Sequence, residues 1–251
     1  MAHLMKSGSF ILEIDVAMSA DSVLFLFHDD TLERLTRNTG NVANRPWREL
    51  DTMQLRDRNG DLTRFTIPKL DEALHEARGK ALLMLDRKHG VSLAMLLEAI
   101  EERGMEDQVG LILYDQRDYE EWAQLAQLGP VSYGADNLLA LEQLAQRNRE
   151  LYPRVGYKAF RQRNLVPSFV FLGVGQPRAE MLARANTLGI QTIVGTFGDL
   201  DQQGSADDGA VYRQLAAMGI DVIATNRPLA AARALASANK SLSNTPPATA
   251  N

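Results

Sequence analysis

The sequence predicts an α/β fold, a closed (β/α)8 barrel of the TIM type, on three observations. Short apolar runs of strand character alternate with amphipathic stretches of helical period along most of the 251 residues. Eight such runs fall within a length that suits one barrel. No G-x-G-x-x-G follows a strand, which lowers the doubly wound alternative.

The candidate strands are 10–16, 23–27, 81–86, 109–114, 130–134, 168–173, 190–195 and 221–225. Helical periodicity fills 69–78, 92–103, 117–128, 137–150, 177–188, 208–218 and 228–238. Repeated strand-then-helix units imply a parallel sheet with helices outside it. Residues 30–66 break the rhythm: they are polar, with Asn38-Thr39-Gly40 and Asn59-Gly60 as turn signals. They read as an insertion after the His28 strand, set over the barrel mouth. The expected organisation is a single domain, 1–237, followed by a disordered tail, 238–251, rich in Ser, Asn, Pro and Ala.

Composition excludes several classes. There are no cysteines, so disulfides and thiolate metal sites are ruled out. A net charge of -5 without a Lys/Arg cluster argues against a nucleic-acid partner. No apolar run has the length of a membrane helix, and residues 1–9 carry no signal-peptide pattern. The start also fits a chain that begins within a domain, with a signal peptide lost upstream, so the compartment stays open between cytoplasm and an exported location.

Glu13 and Asp15 lie two apart in Phe10-Ile11-Leu12-Glu13-Ile14-Asp15-Val16. A strand puts both carboxylates on one face, where they repel each other and lose solvation. A bound cation offsets both costs. In Leu82-Leu83-Met84-Leu85-Asp86-Arg87-Lys88, the period of two places Leu82, Met84, Asp86 and Lys88 on one face, so Asp86 and Lys88 project into the mouth if the leucine and methionine face inward. Oxygen ligands suit Mg2+ or Ca2+. Such a cation polarises a phosphoryl oxygen, Lys88 adds a second positive group, and His28 can move a proton near neutral pH. Together these parts fit hydrolysis of a phosphate ester.

Each residue also has a plainer reading. Glu13 and Asp15 could be solvated charges on an edge strand, His28 a structural histidine, and Asp86 with Lys88 a surface ion pair. His75 and His89 read as ordinary surface positions. Arg34 and Arg37 read as solvating the insertion or admitting an anionic substrate. Trp47 and Trp122 read as core or loop anchors.

Six segments in order resemble the glycerophosphodiester phosphodiesterases, with phosphatidylinositol-specific phospholipase C a more distant barrel relative. Glu13-Ile14-Asp15 is similar to the family's E-x-D strand, and His28-Asp29-Asp30-Thr31-Leu32 to its H-D-x-x-L segment. Arg37 to Val42 resembles the turn that follows, and Ile67-Pro68-Lys69-Leu70-Asp71-Glu72-Ala73-Leu74 its I-P-x-L-x-E-x-L helix start. Asp86-Arg87-Lys88 stands at the E-x-K position, and Thr225-Asn226-Arg227-Pro228 at the closing T-D-x-P.

The resemblance implies metal-dependent cleavage of glycerophosphodiesters to glycerol 3-phosphate and an alcohol, a step of lipid and glycerol metabolism. On it, Glu13, Asp15 and Asp86 bind a divalent cation, Mg2+ or Ca2+. His28 is one of two acid/base histidines and Lys88 contacts the phosphate of a small-molecule glycerophosphodiester. The implied route is attack by the substrate's own hydroxyl, then hydrolysis of a cyclic phosphate.

Three departures stand out. The family's opening H-R-G strand and P-E-N-T/S helix are not found, and His3 sits in a segment resembling the end of the first helix. A barrel incomplete at its first strand-helix unit is therefore an open alternative; its unpaired edges would favour a homo-oligomer. Asp86 replaces a glutamate, shortening the reach, and Gly195-Thr196-Phe197-Gly198 replaces W-T-V-N. The alternative function is a non-catalytic homologue that binds metal or phosphodiester. A third reading is a Schiff-base lyase using Lys88.

Overall fold

The structure is a computed structural model that describes residues 10–88, 90–125, 131–134, 138–151, 168–206 and 208–243. Of these, 10–132 and Leu151 belong to one unit, and 133–150 with 168–243 to a second.

In the first unit, β1 (Ile11–Met18) is followed by the short β2 (Leu24–Leu26), then α1 (Trp47–Leu50), β3 (Gln54–Arg56), β4 (Leu62–Thr66) and α2 (Leu70–Ala77). Next come β5 (Leu82–Arg87), α3 (Leu93–Glu102), β6 (Val109–Leu113) and α4 (Gln116–Leu125). β1, β5 and β6 pair in parallel, with Asp15 opposite Asp86. β5 is a run of Leu, Met and Asp with five consecutive buried residues, the pattern of a strand covered on both faces. Its helices start where the sequence provides caps. The Glu72 carboxylate accepts from the Lys69 N–H at 2.9 Å, and Ser92 Oγ accepts from the Met95 N–H at 3.2 Å.

The 23–27 run is a strand, but it pairs antiparallel with β1, Val16 opposite Leu26. It is a hairpin partner at the edge and not one of the parallel staves. The cause is the short Ser19–Val23 connection, which holds a turn with Ser22 at φ 63° and leaves no room for a crossover.

The insertion proves to be built on apolar side chains. Leu32, Val42, Leu50 and Ile67 bury with Ala17, Phe25 and Phe27, and Leu35, Trp47, Met53 and Leu55 pack against them. These residues are spaced among polar ones with no single period, so the stretch reads as polar loop although it contains α1 and the β3–β4 hairpin. Trp47 thus anchors the insertion, and Trp122 is fully buried.

β7 (Val131–Gly134) falls at the division between the units. The second unit continues with α5 (Leu138–Leu151, all but its last residue), β8 (Ser168–Val174), α6 (Ala179–Leu188), β9 (Gln191–Gly195), α7 (Asp199–Ala206), α8 (Ala210–Ala217), β10 (Val222–Ala224) and α9 (Pro228–Ser243). β8, β9 and β10 pair in parallel. α6 ends at Gly189, whose φ of 68° closes the helix in the left-handed region. α7 lies in a stretch with no expected helix. α9 runs to Ser243, so the expected tail 238–251 begins inside a helix; 244–251 lie outside the described residues. Among the described residues, no helix is long and apolar enough to cross a membrane.

Candidate active site

The site lies in the first unit, where the middle of β1 runs beside the end of β5. Glu13 and Asp15 alternate with Leu12 and Ile14 along β1, and Asp86 stands across from Asp15 on the neighbouring strand. One carboxylate oxygen from each of Glu13, Asp15 and Asp86 lies within 4.8 Å of the others. Beyond the end of β5, the Lys88 N–H donates to Val16 O at 2.8 Å, which extends the pairing. Lys88 Nζ then reaches Asp15 at 2.6 Å and Asp86 at 2.9 Å.

The charges do not balance. Three carboxylates face one ammonium, and partial desolvation together with repulsion from Asp15 and Asp86 pushes the Glu13 pKa from 4.5 to about 7. Glu13 keeps a solvent-exposed face, and the repulsion from Asp15 and Asp86 adds to its partial desolvation. Asp86 is only 7% exposed, and its Oδ1 is buried without a hydrogen-bond partner among the described residues. A buried carboxylate oxygen without a donor is costly. An oxygen-ligated cation would relieve both the repulsion and the orphaned oxygen, so the donor set fits Mg2+ or Ca2+.

Desolvation works against the charge of Lys88, but its contacts with Asp15 and Asp86 outweigh it and hold the ammonium well above its ordinary pKa. A lysine so firmly protonated is a poor amine nucleophile, which disfavours the Schiff-base reading.

His28 follows β2. The Phe27 N–H donates to Asp15 O at 3.1 Å, which ties the residue before His28 to the acidic strand. The His28 ring is 63% exposed, and its Nδ1 lies 2.7 Å from Asp29 Oδ1. Asp29 also accepts from Arg34, Nε at 2.6 Å and Nη2 at 2.5 Å. The Arg34 hydrogen bonds, foremost, hold the Asp29 carboxyl below the usual range.

Tyr114, at the end of β6, is a further member of the group. Although Tyr114 is 58% exposed, partial desolvation of the phenol and its interaction with Asp86 raise it above its ordinary pKa, so it stays a hydrogen-bond donor. Its backbone N–H donates to Asp118 Oδ2 at 3.0 Å, and Asp118 also pairs with Arg87. Tyr114 ends the expected strand 109–114, so its place at a strand end was legible, whereas its interaction with Asp86 on another strand was not.

The other strand-end polar residues divide differently. Asp115 Oδ1 accepts from the Asp118 N–H at 2.9 Å and caps α4. In the second unit, Thr196, Thr225 and Asn226 converge on the buried Asp201, which accepts from Thr196 Oγ1 at 2.7 Å, Thr225 Oγ1 at 2.5 Å and the Asn226 N–H at 2.8 Å. Tyr212 Oη adds a bond at 3.3 Å. This is an internal network that fixes strand ends. His75 is exposed on α2, while His3 and His89 lie outside the described residues.

Such a site suits a hydrolase of anionic esters on an α/β scaffold. Residues 1–230 match the model of the glycerophosphoryl diester phosphodiesterase family, and the chain belongs to that family. YhdW of Bacillus subtilis (strain 168), assigned as a glycerophosphodiester phosphodiesterase, is 26% identical over 235 residues, covering 89% of this chain and 85% of that protein. A glycerophosphoryl diester phosphodiesterase from Parabacteroides distasonis ATCC 8503 superposes with a TM-score of 0.77 at 26% identity, over 94% of this chain and 79% of that one. A glycerophosphodiester phosphodiesterase from Agrobacterium tumefaciens C58 shares the fold, with a TM-score of 0.66 at 24% identity, over 92% and 90% of the two chains. The α/β barrel class expected from the alternating strands and helices is thus the fold of the family.

Proposed function

We propose that the chain is a metal-dependent phosphodiesterase that cleaves glycerophosphodiesters to glycerol 3-phosphate and an alcohol. The clustering of Glu13, Asp15 and Asp86 around an orphaned buried oxygen carries this reading. Those three residues would hold Mg2+ or Ca2+, which when bound supplies charge neutralisation at a phosphoryl oxygen. Lys88, held protonated between Asp15 and Asp86, would contact a phosphate oxygen. His28 would exchange the proton of the attacking or leaving hydroxyl. Tyr114 would donate a hydrogen bond from the side of β6.

Among the described residues His28 is the one histidine that acts on the acidic cluster, which favours a second reading: a homologue that binds metal or phosphodiester without turnover. Proton transfer by one positioned group is worth about 100- to 10,000-fold in rate. The deciding assay follows choline release from glycerophosphocholine by this chain with Mg2+ or Ca2+. Slow, chelator-sensitive turnover that is lost in Asp86→Asn is the expected result. Metal binding with no turnover would establish the second reading, and absence of both would end both.

A further inference from the structure

We infer that Arg34 is a positioning residue: through Asp29 it sets the His28 ring so that Nδ1 carries the fixed proton and Nε2 is the atom left to exchange one with substrate. The inference rests on the proposed role of His28 and extends it to residues that touch no substrate.

The geometry runs through three side chains. Arg34 grips both Asp29 oxygens, at 2.6 and 2.5 Å, the paired geometry that makes an arginine–carboxylate contact directional. Oδ1 of the same carboxylate lies 2.7 Å from His28 Nδ1. A carboxylate kept ionised by a guanidinium only accepts hydrogen bonds. The ring nitrogen facing it must therefore be the donor, Nδ1–H, and Nε2 of the neutral ring is then the acceptor. Without this clamp, a ring 63% exposed would be free to turn over and to populate the other tautomer.

The loop is shaped to deliver Arg34. The Leu32 N–H donates to Gly40 O at 3.0 Å and the Val42 N–H to Asp30 O at 3.0 Å, closing the segment between them. Glu33 ties the same loop by accepting from the Gly40 N–H at 2.8 Å, and Gly40 takes the φ of 99° that the turn requires. Arg34 itself is 62% exposed, where an ion pair adds little stability, so its removal should leave the fold intact.

The test is the tautomer of His28 in the metal-free full chain, read by long-range proton–nitrogen correlation and assigned with His28→Gln. The expected wild-type ring is Nδ1–H when neutral. Arg34→Gln and Asp29→Asn shift it toward Nε2–H, and Arg34→Lys keeps part of the preference. Ca2+ affinity, titrated in parallel, stays at the wild-type value in Arg34→Gln. A wild-type Nε2–H ring, or a tautomer unmoved by Arg34→Gln, overturns the inference. Turnover of glycerophosphocholine is scored separately, so absence of turnover removes the phosphodiesterase reading while the tautomer result still decides this one. With turnover, Arg34→Gln lowers kcat by about 10- to 100-fold, as for loss of a partner that orients a site ligand. An effect on KM alone would make Arg34 a substrate contact and overturn the positioning role.

Discussion

Asp15 and Asp86 face each other across the parallel β1–β5 pair, and Lys88 Nζ sits between them at 2.6 and 2.9 Å. Two like charges in register on adjacent strands repel. Their persistence beside a third carboxylate, Glu13, makes this pair the electrostatic centre of the first unit.

Replacement of Asp86 by Asn removes one ligand charge and the orphaned buried oxygen's affinity for a cation. Divalent-cation affinity, measured by calorimetry with Ca2+ or Mg2+, should fall by at least about 10-fold, the lower range seen when support of a metal site is lost. Unchanged affinity would place the cation elsewhere.

A divalent cation held by the three carboxylates would share Asp15 and Asp86 with Lys88, which bonds Asp86 Oδ2 and leaves Oδ1 without a partner. Lys88→Met should therefore bind Ca2+ more tightly than the wild type, while any turnover drops by about 100-fold through loss of charge on the phosphate. Weaker Ca2+ binding in the variant would show that Lys88 organises the carboxylates and does not compete.

The raised pKa of Glu13 gives a stability trend with a definite sign. Its folded value, about 7, exceeds the ordinary 4.5, so the folded state binds more protons between these values. The site's contribution to stability is then present below the unfolded pKa and falls as pH rises from about 4.5 to about 7. Chemical denaturation of the metal-free wild type against Glu13→Gln should show wild-type stability falling relative to the variant over that window. A flat difference would mean that the folded site does not raise the Glu13 carboxyl.

Asp201 should behave as a structural residue. It is 4% exposed and accepts from Thr196, Thr225, Asn226 and Tyr212, of which Thr196 and Tyr212 are buried, so Asp201→Ala removes the acceptor on which these donors converge. A loss of about 2–4 kcal/mol in unfolding free energy is expected, with Ca2+ affinity unchanged. A fully stable variant would show that water replaces the carboxylate.

The alternation of strands and helices, the Glu13–Asp15 face and the Asp86–Lys88 face are legible along the chain alone. The period of two along a strand is local, and each run carries it in its own residues. The order of six short segments carried the family resemblance in the same local way. The pairing of Asp15 with Asp86, the turn of 23–27 into an antiparallel edge, and the apolar core inside the insertion were decided only in three dimensions. Strand register and direction depend on partners far along the chain, and scattered apolar residues such as Leu32 and Leu50 reveal a core only once they meet. The Arg34–Asp29–His28 contact lies at the same limit. A loop has no period, so which arginine reaches which carboxylate depends on the closed backbone between Asp30 and Val42.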